Sequence, residues 1–389
     1  MKVLHTSDWH VGKSLRGNPR IEEHRAVLAE VAQVAEREAV DIVLVTGDLF
    51  DSAAPGTDAQ QVVWHALLAL RATGAQVVVI GGNHDNQRAL DAFAPVLEAA
   101  GITLRGRLAR PDEGGVIDIA GRDGTPARVA LLPWVPEREA VRSEQLLALD
   151  SAQTSGHYAG RMQQVVESLT RGFRPDDAVN IVAAHAMVRG GRRGGGEREA
   201  QTVIEYELDA NIFPASVHYV ALGHLHRTQQ LSGATQIWYA GSPVQVDFGE
   251  ENDVKHVLVV EAARGVPAKV RRVPITSGAQ LRTVSGTLDE LEAMAGEVGD
   301  AWLRVSVREK TRPGLADDVR ALLPRAIDVR VEVSPDARTS GRVPATTREG
   351  RTPHELFELY LDATDHARDK GLVSLFDRLL AEDFEDAGV

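Results

Sequence analysis

Asp8-Trp9-His10, Gly47-Asp48, Gly82-Asn83-His84-Asp85, His185 and Gly223-His224-Leu225-His226 place carboxylates, imidazoles and an amide just after apolar runs that read as strands. Such groups are good donors to divalent metals. A site that splits a phosphodiester holds two ions close together, with one carboxylate between them and imidazoles and an amide in the other positions. Taken singly, each motif has an ordinary explanation. Asp8 can cap the turn that follows it, Gly47-Asp48 is common after a strand, Gly82-Asn83-His84-Asp85 has turn chemistry, and His185 suits a structural role. Gly223-His224-Leu225-His226 says more, because alternate histidines at a strand end point to one side, as ligands of one metal must. Five such motifs at successive strand ends point to one binuclear site.

The elements that must carry these motifs alternate between strand and helix. Val3-Leu4-His5-Thr6-Ser7 reads as a buried strand, and Arg20 to Val40 as an amphipathic helix with Val27, Leu28, Val31 and Val34 at helical spacing. Ile42-Val43-Leu44-Val45, a helix around Val62 to Leu70, and Val77-Val78-Val79-Ile80 follow, then Val129-Ala130-Leu131-Leu132 and Ile181-Val182-Ala183-Ala184. These runs are apolar on both faces, the pattern of strands covered on each side in an α/β protein. The motifs therefore fall at the carboxyl ends of strands, where open α/β sheets place their sites. Gln236-Ile237-Trp238-Tyr239 and Val257-Leu258-Val259-Val260 read as further strands.

Composition narrows the chemistry. The 389-residue chain contains no cysteine, which excludes thiolate metal sites and disulfide scaffolds and leaves oxygen and imidazole as ligands. Manganese and magnesium become the leading candidates. No apolar run approaches membrane-spanning length and no leader precedes Met1-Lys2-Val3-Leu4, so the expected location is the cytoplasm. A net charge of -13 argues against a broad basic surface for nucleic acid. Part of that charge belongs to the candidate ligands, and a subunit can borrow basic surface from a partner.

The expected organisation is a main domain over residues 1–275, a small α+β module over 276–334, a linker over 335–352 and a C-terminal helix pair over 353–389. Leu281 to Val333 alternates strand, helix, strand, helix, strand. The next stretch is polar and rich in Pro, Gly and Thr, as linkers are. Beyond it, Leu356, Phe357, Tyr360 and Leu361, then Leu372, Leu375, Phe376, Leu379 and Leu380, mark two short amphipathic helices. Helices this short form no core alone and are expected to dock on a partner.

The five motifs together resemble the calcineurin-like metallophosphoesterase superfamily. Thr6-Ser7-Asp8-Trp9-His10, Gly47-Asp48-Leu49-Phe50-Asp51 and Ala240-Gly241-Ser242-Pro243 further resemble its SbcD family of bacterial nuclease subunits. The resemblance implies a two-sheet sandwich flanked by helices, a small capping domain and a tethered helix pair. It implies that Asp8, His10, Asp48 and His226 hold one Mn²⁺, and Asp48, Asn83, His185 and His224 the other, with Asp48 as the bridge. His84 is the candidate donor to the leaving 3′ oxygen, and Asp85 the candidate to orient His84. Asp51 stands where archaeal and eukaryotic relatives carry histidine, so no role of that histidine transfers. The implied activity is Mn²⁺-dependent cleavage of DNA: 3′→5′ on duplex ends, and internally on hairpins and single strands. The implied partners are an SbcC-type ATPase, met through the C-terminal helices, and a second copy of the chain within a heterotetramer. The same ligands would also serve a phosphoesterase acting on cyclic nucleotides, phosphomonoesters or phosphoproteins, and the same fold a non-catalytic scaffold for the ATPase.

Arg189-Gly190-Gly191-Arg192-Arg193-Gly194-Gly195-Gly196, between two ligand motifs, reads as a flexible solvated loop. The alternative is that its arginines touch DNA phosphates. The acidic run Glu382-Asp383-Phe384-Glu385-Asp386 reads as a solvated terminus.

Overall fold

The structure is a computed structural model that describes residues 1–137, 139–141, 157–197, 206–332, 353–362 and 371–377. The first half of the chain folds as β1 (Lys2–Thr6), β2 (Ser14–Leu15), β3 (Asn18–Pro19), α1 (Ile21–Arg37), β4 (Ile42–Thr46), α2 (Thr57–Ala72), β5 (Gln76–Ile80), α3 (Gln87–Ala99) and β6 (Ile102–Arg105). It continues with β7 (Val116–Ala120), β8 (Pro126–Leu132), α4 (Tyr158–Thr170), β9 (Val179–His185), β10 (Tyr219–Gly223), β11 (Gln229–Leu231), β12 (Gln236–Tyr239), β13 (His256–Ala263) and β14 (Val266–Pro274).

These strands make two six-stranded mixed sheets, ordered β14-β13-β1-β4-β5-β6 and β11-β12-β10-β9-β8-β7. The motif-bearing strands β1, β4 and β5 are parallel neighbours in the first sheet, as are β9 and β10 in the second. Side-chain alternation explains why their sequences are apolar throughout. In β4, Ile42 and Leu44 face the second sheet while Val43 and Val45 face the helices. In β9, Ile181 and Ala183 face the first sheet while Val182 and Ala184 pack with α4 residues Val165, Val166 and Leu169. Each strand is thus buried on both faces, in a helix–sheet–sheet–helix stack. The expected Arg20–Val40 helix is shorter at both ends, running from Ile21 to Arg37. The reason at its start is local: Arg20 leaves helical geometry, and its guanidinium turns back to pair with Glu23 and the Gln245 carbonyl.

A separate three-stranded sheet follows, formed by β15 (Leu281–Gly286), β16 (Trp302–Val307) and β17 (Ala326–Val331) in sequence order. Its strands are all parallel, joined through α5 (Leu288–Met294) and α6 (Leu315–Leu322). Thr287 and Glu290 close a reciprocal capping box that starts α5. Leu303, Val305 and Val307 alternate inward against Leu291, Leu315 and Val319, giving this unit its own core. It docks on the main body through Leu15, Phe248 and Leu281. Val333 and the expected linker, residues 335–352, lie outside the described residues, as do Leu379, Leu380 and the acidic run. The helix α7 (Pro353–Asp362) and helical residues 371–377 are described. They pair through Phe357 and Phe376, stacked at 4.2 Å, and through His354 and Asp377. No described helix is long and apolar enough to cross a membrane.

The carboxyl ends of the two sheets approach closely at Gly223. A Cβ there would stand 2.0 Å from the Thr46 carbonyl oxygen and 2.2 Å from Ser7 Oγ. Gly223→Ala is therefore expected to lower the unfolding free energy by about 1–3 kcal/mol through overpacking. Urea denaturation reads this directly, and an unchanged midpoint would mean the sheets have slack at this contact.

Candidate metal centre

The loops after β1 and β4 are laced together by backbone hydrogen bonds, from Asp8 N to the Gly47 carbonyl (3.1 Å), His10 N to Asp48 (3.0 Å) and Val11 N to Leu49 (3.0 Å). Asp8, His10, Asp48 and His224 all have positive φ, at 51°, 46°, 50° and 108°. A non-glycine residue held there is strained and persists only where its surroundings over-determine it. At Gly82 the chain passes so close to Asp48 that a Cβ would lie 2.1 Å from Oδ1. The small residue just before Asn83 is what lets the β5 loop reach the β4 carboxylate.

Every ligand expected from the sequence arrives in this region. His10 Nε2 faces His226 Nε2 at 3.0 Å, and Asp8 lies with both in one donor cluster. On the other side, Asn83 Oδ1 is 2.8 Å from His185 Nε2 and 2.8 Å from His224 Nδ1. Asp48 stands between these groups, its Oδ2 at 3.8 Å from His10 Nε2 and 3.4 Å from His185 Nε2. Asp8, Asp48 and His185 form a further cluster, as do His10, Asp48 and His84.

Outer partners fix the faces of these rings. His185 donates from Nδ1 to the Thr46 carbonyl at 2.8 Å. His226 Nδ1 meets Glu250 Oε1 at 3.0 Å and the Gly195 carbonyl at 3.1 Å. Because these partners only accept, each Nδ1 carries a proton and each Nε2 is the ring atom aimed into the site. His224 stacks on Trp134, centroids 5.2 Å apart, and presents Nδ1.

Electrostatics supply the test of whether metal ions fit here. Burial pushes the Asp8 carboxyl up to about 6 against the pull of His185 and His226. Burial also opposes ionisation of Asp48, but His185, His10 and His84 hold it well below the usual carboxylate range. His10 and His224 are driven down to about 4 and about 3 by burial, while His185 and His226 resist it and are held up to about 9 by Asp48 and Glu250 respectively. Among the described residues no lysine or arginine pairs with Asp8 or Asp48. Two buried carboxylates whose only charge partners are imidazoles, with ring nitrogens facing one another, form a donor set that divalent cations satisfy.

Asp85 departs from its expected role. Its carboxylate accepts from the backbone amides of Gly82 (2.9 Å), Leu49 (3.3 Å) and Phe50 (3.1 Å), so it braces the loops that carry Asp48 and Asn83. His84 is oriented instead by Asp51, whose carbonyl takes its Nδ1 at 2.8 Å, while its backbone amide donates to Asp48 Oδ1 at 2.8 Å. The Arg/Gly loop is exposed over much of its length and anchored at its end. Glu197 accepts from Gly194 N, Gly195 N and His226 N, which ties the loop to the site, while Arg189, Arg192 and Arg193 stay exposed. Sequence reading missed Glu250, Glu197 and Trp134. The only signal for Glu250 was its nearness to Ser242 and Pro243.

Asp48→Asn removes the charge shared by both donor groups. Metal content by mass spectrometry is expected to fall from two ions per chain to one or none. The melting rise on adding divalent metal should shrink, each site at a hundredfold excess over Kd contributing about 2.7 kcal/mol. A variant that still holds two ions with wild-type affinity would contradict the central place of Asp48.

A model of the calcineurin-like phosphoesterase family matches residues 1–228, and a model described as type 5 capsule protein repressor C-terminal domain matches residues 278–365. The chain is 35% identical over 317 residues to the SbcD subunit of nuclease SbcCD from Bacillus subtilis, covering 79% of each chain. It is 32% identical over 310 residues to the SbcD subunit of Rhodobacter capsulatus, covering 75% of this chain and 76% of the relative. With SbcD of Escherichia coli K12 the identity is 27% over 325 residues, covering 79% and 78%. The buried histidine and aspartate clusters are the dimetal site of a phosphoesterase, and the chain belongs to the calcineurin-like phosphoesterase family, among its SbcD nuclease subunits.

Proposed function

We propose that this chain is a Mn²⁺-dependent DNA nuclease subunit that works in the cytoplasm with an SbcC-type ATPase, degrading duplex ends 3′→5′ and cutting hairpins and single strands internally. The observation that carries the reading is Asp48, set between the Asp8–His10–His226 group and the Asn83–His185–His224 group. Asp8, His10, Asp48 and His226 would hold one ion, and Asp48, Asn83, His185 and His224 the other. Oxygen and imidazole donors without thiolate favour Mn²⁺, with Mg²⁺ as the alternative. When bound, such an ion pair supplies Lewis-acid stabilisation of the phosphoryl group and lowers the pKa of the attacking water.

The chain's own residues do the rest. The Asp51 carbonyl holds His84 by Nδ1, and His84 would protonate the departing 3′ oxygen from Nε2. Asp85 keeps Asp48 and Asn83 in register by its grip on three backbone amides. Arg192 and Arg193, exposed on a loop anchored at His226, offer phosphate contacts beside the site. The paired C-terminal helices leave Tyr360 and Leu375 exposed, and this apolar surface is assigned to the ATPase. A second copy of the chain is assigned to the α2–α3 face, where Trp64 packs on Phe93 and Leu68, Phe93 and Val96 are exposed.

Purified protein with Mn²⁺, with and without the ATPase, is expected to digest linear duplex and hairpin DNA in preference to a phosphomonoester. His84→Ala should keep both ions yet lose turnover by roughly 10²–10⁴-fold. Cleavage of the monoester alone, or a fully active variant, would overturn the respective assignment. Leu68→Asp with Val96→Asp should convert a dimer into monomers in sedimentation velocity, and a wild-type chain that is monomeric at every concentration would remove the α2–α3 assignment.

A further inference from the structure

Among the candidate ligands, His226 has its Nδ1 within hydrogen-bond distance of a buried glutamate. The Glu250 carboxylate that receives His226 Nδ1 is itself fully buried. Its other oxygen takes Lys255 Nζ at 2.6 Å and the Val246 amide at 3.1 Å. Lys255 donates further to Ser242 Oγ at 2.9 Å and to the His226 carbonyl at 3.2 Å, so it grips both ends of the His226–Glu250 pair. A buried ion pair is weak evidence for stability, because desolvation offsets its attraction. What such a pair does fix is geometry: it sets one ring orientation and one tautomer for the histidine.

Glu250 closes a short turn, Phe248–Glu250, that touches the small C-terminal sheet. Phe248 packs with Leu281 of β15, and the Arg304 guanidinium from β16 lies 4.2 Å above the Phe248 ring. Thr283 Oγ1 donates to Glu251 Oε2 at 2.6 Å. Gln245 joins the two bodies with one side chain, its Nε2 donating to the carbonyls of Glu250 (2.9 Å) and Asp253 (3.1 Å) while its Oε1 accepts from Leu281 N at 2.6 Å. An unbroken run of contacts therefore leads from β15 and β16 through the turn to the ring of His226.

We propose that Glu250, locked by Lys255, is the positioning residue for His226, and that the seating of the small C-terminal sheet on the Phe248–Glu250 turn sets the affinity of the metal site that His226 serves. The proposal rests on His226 being a ligand, as assigned above, and adds what controls it. Displacing the small sheet would move the turn, release His226 and weaken one ion while Asn83, His185 and His224 keep the other.

The test is calorimetric titration of Mn²⁺ into the full-length wild-type chain, Glu250→Gln, and the double variant Thr283→Val/Arg304→Met. The double variant lies on the small sheet and leaves every candidate ligand untouched. Glu250→Gln is expected to weaken one of two Mn²⁺ sites by roughly 10–100-fold and to lower the melting temperature, because it leaves Lys255 buried without its carboxylate, and nuclease turnover should return in excess Mn²⁺. The double variant should weaken the same site by several-fold, and it keeps the proposal testable should Glu250→Gln fail to fold. Two sites of wild-type affinity in folded Glu250→Gln, or an unchanged double variant, would overturn the proposal while leaving the metal assignment intact. A wild-type chain that binds no Mn²⁺ would overturn both.

Discussion

Two carboxylates, Asp8 and Asp48, are buried where the carboxyl ends of two sheets meet, with no lysine or arginine among the described residues to neutralise them. Burying an uncompensated carboxylate is costly enough that such groups normally take a proton or a cation. The ring of imidazoles meets this need part of the way, with His185 and His226 carrying protons readily and His10 and His224 refusing them. The remainder of the fold is organised around holding this unfavourable cluster together. Positive φ at Asp8, His10, Asp48 and His224 costs of order 1–3 kcal/mol at each position. The apolar layers of strands β1, β4, β5, β9 and β10, filled on both faces, are what offset it.

That division of labour explains what could be read from the sequence. The doubly apolar strands were legible because both faces are buried, and the convergence of the candidate donors because each follows a strand end. The helix pair was legible in its apolar spacing, and the small sheet in its strand–helix alternation. The sandwich itself was harder to read. β13 returns from the far end of the domain to lie antiparallel against β1, with Val3 opposite Val260, and no local pattern encodes a pairing of such range. Glu250 was hidden for a related reason. It sits in the polar run Asp247-Phe248-Gly249-Glu250-Glu251-Asn252-Asp253, which reads as solvated surface until Lys255 and His226 are seen to close over it. Asp85 was read as a partner of His84, whereas its carboxylate takes the backbone amides of Gly82, Leu49 and Phe50.

The donors come from both sheets: Asp8, His10, Asp48 and Asn83 follow strands of the first, while His185, His224 and His226 end or follow strands of the second. Ions bound among them belong to neither sheet alone. Metal affinity and the packing between the sheets are therefore linked quantities, since whatever separates the sheets also separates the ligands. At Gly223 the backbone of β10 already touches Thr46 and Ser7, so the gap between the two ligand groups has no room to shrink. Adjustment is left to the side chains and to the loops that carry them. Most of those loops are pinned by backbone bonds or by Asp85. The loop of His226 is held by a turn that a second folded unit touches, which gives a change elsewhere in the molecule a route to the candidate metal site.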